Sequence, residues 1–212
     1  YYWVDLLDYG VKAEMTATER VGVHRYTFPQ DAHSKIHIDL GYALNWDAPT
    51  NTHLQVVNDS TLQGYRFSTG WARNQKVFFE MRFSKPFTSH TLDNTERNSK
   101  VVLDYATHDG EQITIKTGLS SVSSEAAGKA IDMEAAEDFD TLRAQANTRW
   151  EKELEKIKIT SENVDQKTVF YTMLYQSMLA PTLYSDSNGE YKAANDTEGK
   201  LREGQDSIAK AD

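Results

Sequence analysis

The sequence predicts a mainly β protein with a C-terminal α portion: an antiparallel β-sandwich followed by linker helices. Three observations predict it. From Val11 to about Leu119 apolar and polar residues alternate with period 2, the mark of half-buried antiparallel strands. Near Ser123-Ser124 the period changes to that of a helix. Further on, nine of the twelve residues from Val169 to Ala180 are apolar or aromatic, as in a helix covered on more than one side.

The elements follow in order. In "VKAEMTATE", Val11, Ala13, Met15 and Ala17 alternate with Lys12, Glu14, Thr16 and Thr18. "KIHIDL" puts Ile36, Ile38 and Leu40 on one face, and "KVFFEMRF" does the same with Val77, Phe79, Met81 and Phe83. "KVVLDYATHDGEQITIKTG" reads as a hairpin, because two β-branched runs flank Asp109-Gly110, a dipeptide suited to positive φ. Strands at short spacing with turn residues between them point to a sandwich. Ser124 is a candidate N-cap for a first helix, "SEAAGKAIDMEAA". A second helix carries Phe139, Leu142, Ala146, Trp150, Leu154 and Ile157 as one apolar stripe. "KIKIT" is a short extended link, and "SENVD" caps a third helix over 165–180. The polar tail from Lys192 has no core of its own and is expected to be mobile. The division is 1–122 sandwich, 123–160 helical linker and 161–212 start of a further helical domain.

Composition excludes several classes of function. Net charge is -9, from 32 acidic and 23 basic residues, which argues against a nucleic-acid backbone as partner. No stretch approaches the roughly 20 apolar residues of a membrane span. There is no cysteine, so disulfides and thiolate chemistry are excluded. "YYWVDLLDYG" has no basic n-region or cleavage site. It reads as the middle of a structure, and the chain is expected to be cut at both ends from a longer polypeptide.

Five segments, in order, resemble the α-mannosidases of glycoside hydrolase family 92. "VKAEMTATERVGVHRYTFP" resembles that family's Ala-Glu-Leu-Thr-Ala-Thr-x-Arg and His-Arg-Tyr-x-Phe-Pro strands, and "GYRFSTGWARNQKVFFEMRFSKPF" its Gly-Tyr-Arg-x-Ser-x-Gly-Trp segment. "GLSSVSSEAA" and "FDTLRAQANTRWEKELEKI" resemble its linker helices, and "FYTMLYQSMLAPTLYSDSNGEY" the first helix of its catalytic domain. The resemblance covers most of residues 5 to 192. It implies an N-terminal sandwich joined by helices to an (α/α)6 barrel. It further implies a calcium-dependent, inverting enzyme that removes terminal α-linked mannose, α-1,2 linkages foremost, from glycans outside the bacterial cytoplasm. Its acid and base would lie in the barrel, so this chain is expected to hold no catalytic residue and no metal, and to need the remainder of its own polypeptide as partner. The third helix would then be covered by that barrel.

The candidate substrate-binding residues are Trp71, Arg66 and Tyr65. Aromatic faces stack on sugar rings and Arg donates paired hydrogen bonds; the plainer reading is a core Trp. Among carboxylates, Glu14 and Glu80 read as solvated strand faces, and Asp186 and Glu190 as turn chemistry. His33 and His37 are four apart, but on a strand they would not converge on a metal. "DSNG" at 186–189 matches the start of a calcium loop without its remaining ligands. A stand-alone carbohydrate-binding sandwich is the alternative. The third helix favours the enzyme, since a free module has no use for it.

Overall fold

A computed structural model describes residues 1–202 other than Pro181 and Ala194. Ten strands build the sandwich: β1 Tyr2–Leu6, β2 Val11–Ala17, β3 Val21–Phe28, β4 Asp31–Asp39, β5 Ala48–Asn58, β6 Thr61–Thr69, β7 Gln75–Phe83, β8 Ser89–Asp93, β9 Lys100–Thr107 and β10 Glu111–Ser120. Helices α1 Ser124–Glu134, α2 Phe139–Leu154 and α3 Val164–Ser177 come next, then a small hairpin of β11 Glu190–Lys192 and β12 Glu198–Lys200. The large sheet has seven strands in the order β1-β2-β3-β10-β7-β6-β5, and β4-β9-β8 form the facing sheet. Every strand pair is antiparallel.

The core between the sheets takes the inward side chains of both. Leu54, Leu62, Phe79 and Ile113 meet Val101, Leu103 and Tyr105, with Ile36, Ile38 and Leu40 packed at its side. A second core lies on the outer face of the large sheet. There Val21 and Val23 of β3 meet Ala130 and Ile131 of α1, Ala135 just after it, and Phe139 and Leu142 of α2. The molecule therefore has three layers: helices, large sheet, small sheet.

Residues 100–119 are not a hairpin. β9 pairs with β4 and β8, whereas β10 pairs with β3 and β7. Asp109-Gly110 does make a tight turn, with Gly110 at φ 73°, but it is an arch that carries the chain from one sheet to the other. The reason is the core itself. Val101, Leu103 and Tyr105 on one side of the turn face Ile113 and Ile115 on the other, and both runs bury their apolar side only if they oppose each other.

Local signals explain the helix starts. Ser123, not Ser124, caps α1 by accepting from the Ala126 amide at 3.1 Å. The Ser124 hydroxyl instead donates to the Gly64 carbonyl at 3.0 Å, joining α1 to β6. Asp138 caps α2 and Asn163 caps α3. α3 has no buried residue; its main contact is the edge-on meeting of Tyr175 with Trp150 of α2, centroids 4.6 Å apart. The polar stretch after α3 is more ordered than its composition suggests. Up to Lys200 it folds into the β11–β12 hairpin, tied to the sandwich by Lys192 N to Ser121 Oγ at 3.2 Å and by the Lys76–Asp196 ion pair. The rest of the expected mobile tail, residues 203–212, lies outside the described residues.

Candidate functional site

An aromatic rim stands at one end of the large sheet, where the loop 41–47 meets the turn between β6 and β7. Trp46 and Trp71 are 67% and 78% exposed, with ring centroids 6.2 Å apart and planes tilted by 31°. Two exposed indoles on separate loops need a reason to stay together. Gly70 supplies part of it: a Cβ there would stand 3.1 Å from Asp47 Cα and 3.4 Å from the Trp46 carbonyl, so glycine permits the close approach of the loops. Asn45, at φ 56°, makes the turn that projects Trp46.

Arg66 fixes the same loop. Its Nε donates to the Leu40 carbonyl at 3.1 Å, and its Nη2 donates to the Tyr42 carbonyl at 3.2 Å and to Asp47 Oδ2 at 2.5 Å. The Arg66 hydrogen bond holds the Asp47 carboxyl below the usual range. Arg66 thus lies beneath the rim, joined to Trp71 through the Trp46–Asp47 stretch. Tyr65 does not join them. Neighbouring strand residues point to opposite faces, and Tyr65 lies on the helix side, stacked on Phe67 at 4.5 Å and edge-on to Phe78 at 5.9 Å. Trp46 was missed by sequence reasoning; the available signal was a Trp inside the turn-forming run Gly41 to Asp47.

The carboxylates are occupied. Glu14 and Glu80 are buried, at 3% and 6% exposure, rather than solvated, because the outer face of the large sheet is covered by helices. Glu14 accepts from Arg25 at 2.9 and 3.1 Å and from Tyr1 Oη at 2.7 Å. The Arg25 hydrogen bonds, aided by Tyr1, hold its pKa down at about 2. Glu80 accepts from Gln63 at 2.6 Å and Arg82 at 2.7 Å. Asp186 is buried and takes the Ser120 hydroxyl at 2.6 Å; burial pushes its pKa up. Glu190 closes the 186–190 turn through its carbonyl, which accepts from the Asp186 amide at 2.7 Å.

His33 and His37 are exposed on the outer side of β4, about 13 Å apart along an extended strand. Among the described residues no group of three or more His, Asp or Glu side chains could hold a metal ion. Calcium needs 6–8 oxygens; of the "DSNG" stretch, Asp186 Oδ2 takes the Ser120 hydroxyl and Asn188 Oδ1 the Glu190 amide, so these residues do not supply such a set. A concavity of about 980 Å³ lies away from the rim, between β2 and α2, lined by Tyr1, Tyr2, Arg143, Asn147, Trp150 and Tyr175 among others.

The chain matches two family models in succession, described as Glycosyl hydrolase family 92 N-terminal domain over residues 1–120 and Glycosyl hydrolase family 92 catalytic domain over residues 126–207. It superposes on the family GH92 alpha-mannosidase BT3965 from Bacteroides thetaiotaomicron with a TM-score of 0.89 and 32% identity over 98% of its length. That protein is also known in complex with mannoimidazole. The GH92 family glycosyl hydrolase ccman5 and the inverting mannosidase BT2199 from Bacteroides thetaiotaomicron VPI-5482 share the fold, with TM-scores of 0.84 and 0.82 at 21% identity over 94% of this chain. The chain spans 28–30% of the length of these proteins. No curated protein matches it. Fold and matches together define a class, a β-sandwich domain continuous, through three helices, with the start of a catalytic domain. The chain belongs to glycosyl hydrolase family 92.

Proposed function

We propose that this chain is the sandwich and opening helices of an inverting glycoside hydrolase that removes terminal α-linked mannose, with preference for α-1,2 linkages, from glycans. The observation that carries the proposal is the likeness, over nearly the whole chain, to an α-mannosidase 32% identical to it. The exposed, braced Trp46–Trp71 pair agrees with it, since indole faces suit the apolar faces of pyranose rings. Trp71 is proposed to line one side of the substrate pocket. Arg66 contributes by holding the loop, and Tyr65 by packing behind the strand.

Inversion needs one carboxylic acid to protonate the leaving oxygen and one carboxylate to activate water, roughly 6.5–9.5 Å apart. The buried carboxylates of this chain are committed to Arg25, Arg82, Gln63 and Ser120. From the resemblance to the family, the acid and base are proposed to come from the rest of the polypeptide, together with the oxygens of a required calcium ion. That same remainder is the proposed cover for α3, and the enzyme is proposed to act in the periplasm or outside the cell.

The test compares residues 1–212 with the product of the intact reading frame on an α-linked mannose disaccharide, with calcium and with chelator. Calcium-dependent turnover by the intact protein alone is expected. Turnover by residues 1–212, abolished by Asp186→Asn, would overturn the assignment. Binding of mannosides by residues 1–212, with no hydrolysis by any longer product, would favour a carbohydrate-binding sandwich instead.

A further inference from the structure

The stretch after α3 returns to the sandwich and is held there by buried polar contacts. Ser185 and Asp186 are each 4% exposed. The Ser120 hydroxyl donates to Asp186 Oδ2 at 2.6 Å and accepts from the Val122 and Ser123 amides at 2.8 and 3.2 Å. The Ser121 amide also donates to Asp186. Arg20 Nε donates to the Ser185 carbonyl at 2.7 Å, while its Nη1 meets Glu134 Oε1 at 2.6 Å. Glu134 in turn accepts from Thr18 Oγ1 at 2.8 Å and the Arg20 amide at 3.0 Å. One point thus gathers the β2–β3 turn, the end of β10, the last turn of α1 and residues 185–186.

These contacts matter because α3 offers no anchor of its own. It buries no side chain, so the helices cannot set the position of the chain beyond them. From the docked turn the chain continues as β11–β12, whose neighbouring Asp196 pairs with Lys76. Lys76 also stands over the Phe67 ring at 5.4 Å, and β7 begins at Gln75, directly after the turn that carries Trp71. A contiguous set of contacts therefore joins Asp186 to the aromatic rim. Burial of a carboxylate against a neutral hydroxyl and backbone amides is a costly way to gain stability, but a shift of residues 184–190 by one residue would break the Ser120–Asp186 and Arg20–Ser185 contacts together.

We propose that the Ser120–Asp186 and Arg20–Ser185 contacts form a fixed joint between the sandwich and the segment that opens the helical domain, and that Asp186 is thereby a positioning residue for the rim and the helical domain. The role in turnover rests on the hydrolase reading above; the joint itself does not.

The experiment has two arms. Hydrogen exchange on residues 1–212 compares wild type with Asp186→Ala, Asp186→Asn and Ser120→Ala. Loss of protection over 184–200 is expected in both alanine variants, with β9 and β10 unchanged, and substantial retention in Asp186→Asn, whose amide oxygen still accepts from Ser120. In the intact protein, Asp186→Ala is expected to lower kcat/KM on an α-linked mannose disaccharide by about 10- to 100-fold, as misplacement of a site does, and Asp186→Asn to restore most of it. Unchanged protection over 184–200 in Asp186→Ala would overturn the joint. So would loss of protection throughout the sandwich in both alanine variants, which would make these residues ordinary core. An opened segment with unchanged kcat/KM would overturn the positioning role. An intact wild type inactive on every α-mannoside would sink the hydrolase reading and leave the exchange result to decide the joint.

Discussion

Arg66 and Asp47 meet at 2.5 Å, and their ion pair connects strand β6 to the loop that carries Trp46. Both side chains are partly exposed, so the pair contributes little to global stability, on the order of 0.2–1 kcal/mol. Its effect is local: it holds two indoles together at the rim.

Asp47→Ala is therefore expected to leave the melting temperature within a few degrees of wild type and to change the rim. The near-ultraviolet circular dichroism of the paired indoles should fall, as it should in Trp46→Ala. In the intact protein each of Trp46→Ala and Trp71→Ala is expected to raise KM for a mannoside roughly 2- to 10-fold, the loss of one ring contact of about 0.5–1.5 kcal/mol. Unchanged KM in the double variant would remove the rim from the substrate site.

pH acts on two buried carboxylates with opposite sign. The pKa of Glu14 is held at about 2 by Arg25 and Tyr1, below the ordinary value near 4.5. Its contribution is therefore full above pH 4.5 and lost as pH falls toward 2. The pKa of Asp186 is raised by burial. Its protonated form is favoured in the folded state, so its contribution is full below about pH 3.8 and declines as pH rises through the folded value. Exchange protection over 184–192 should accordingly persist on mild acidification, while the contacts of Glu14 with Arg25 and Tyr1 weaken as pH approaches 2. Loss of both together near pH 4 would contradict this.

Much of the fold was legible because most strands turn one apolar side to the core between the sheets, and alternation records that directly. Ile36 and Ile38 or Phe79 and Phe83 needed no other information. What alternation does not record is which strand lies beside which. Asp109-Gly110 suits a hairpin and an arch alike, and the choice is made by Val101 and Leu103 against Ile113 and Ile115 across the core. Nor does it record a third layer. Glu14 and Glu80 looked solvated because the helices that cover them arrive roughly 125 and 45 residues later; the signal lay in Arg25 and Arg82, each able to neutralise one of them. At the rim, Trp71 is 78% exposed, whereas the plainer reading of the sequence made it a core residue, because an indole between apolar strands carries no mark of which side it faces. The work of Arg66 was not legible, because its acceptors are largely backbone carbonyls that any sequence could supply.

Gly128 lies at the helix-to-sheet contact. A Cβ at this position would lie 2.7 Å from both Glu80 carboxylate oxygens, and those oxygens hold Gln63 and Arg82. Gly128→Ala gains about 1 kcal/mol of helix propensity. It must also shift α1 or displace a buried charge from its partners, and overpacking costs about 1–3 kcal/mol. A net loss of up to about 2 kcal/mol is expected, measured as a lower denaturation midpoint at constant slope. Glu80→Gln in the same background should recover part of it, since the amide need not keep an ionic partner. A more stable Gly128→Ala protein would mean that α1 is free to move off the sheet.

The last expectation concerns α3. An isolated helix of 14 residues is marginal in water, and α3 is held among the described residues chiefly by the Trp150–Tyr175 contact and by the Tyr171 hydroxyl on the Ile157 carbonyl at 3.3 Å. Val169 and Met173, one turn apart on the same stripe, are 60% and 57% exposed, and Leu179 is 52% exposed. Exposed apolar patches favour association. Residues 1–212 are therefore expected to self-associate at tens of micromolar, or to exchange the amides of 164–177 much faster than those of β9 and β10. Val169→Lys with Met173→Lys should restore a monomer in light scattering without lowering the melting temperature of the sandwich, since neither side chain touches its core. In the intact protein the same pair should be harmful, because the rest of the polypeptide is proposed to cover this face. A wild-type chain that stays monomeric and strongly protected over 164–177, or an intact protein indifferent to both lysines, would show that α3 needs no cover.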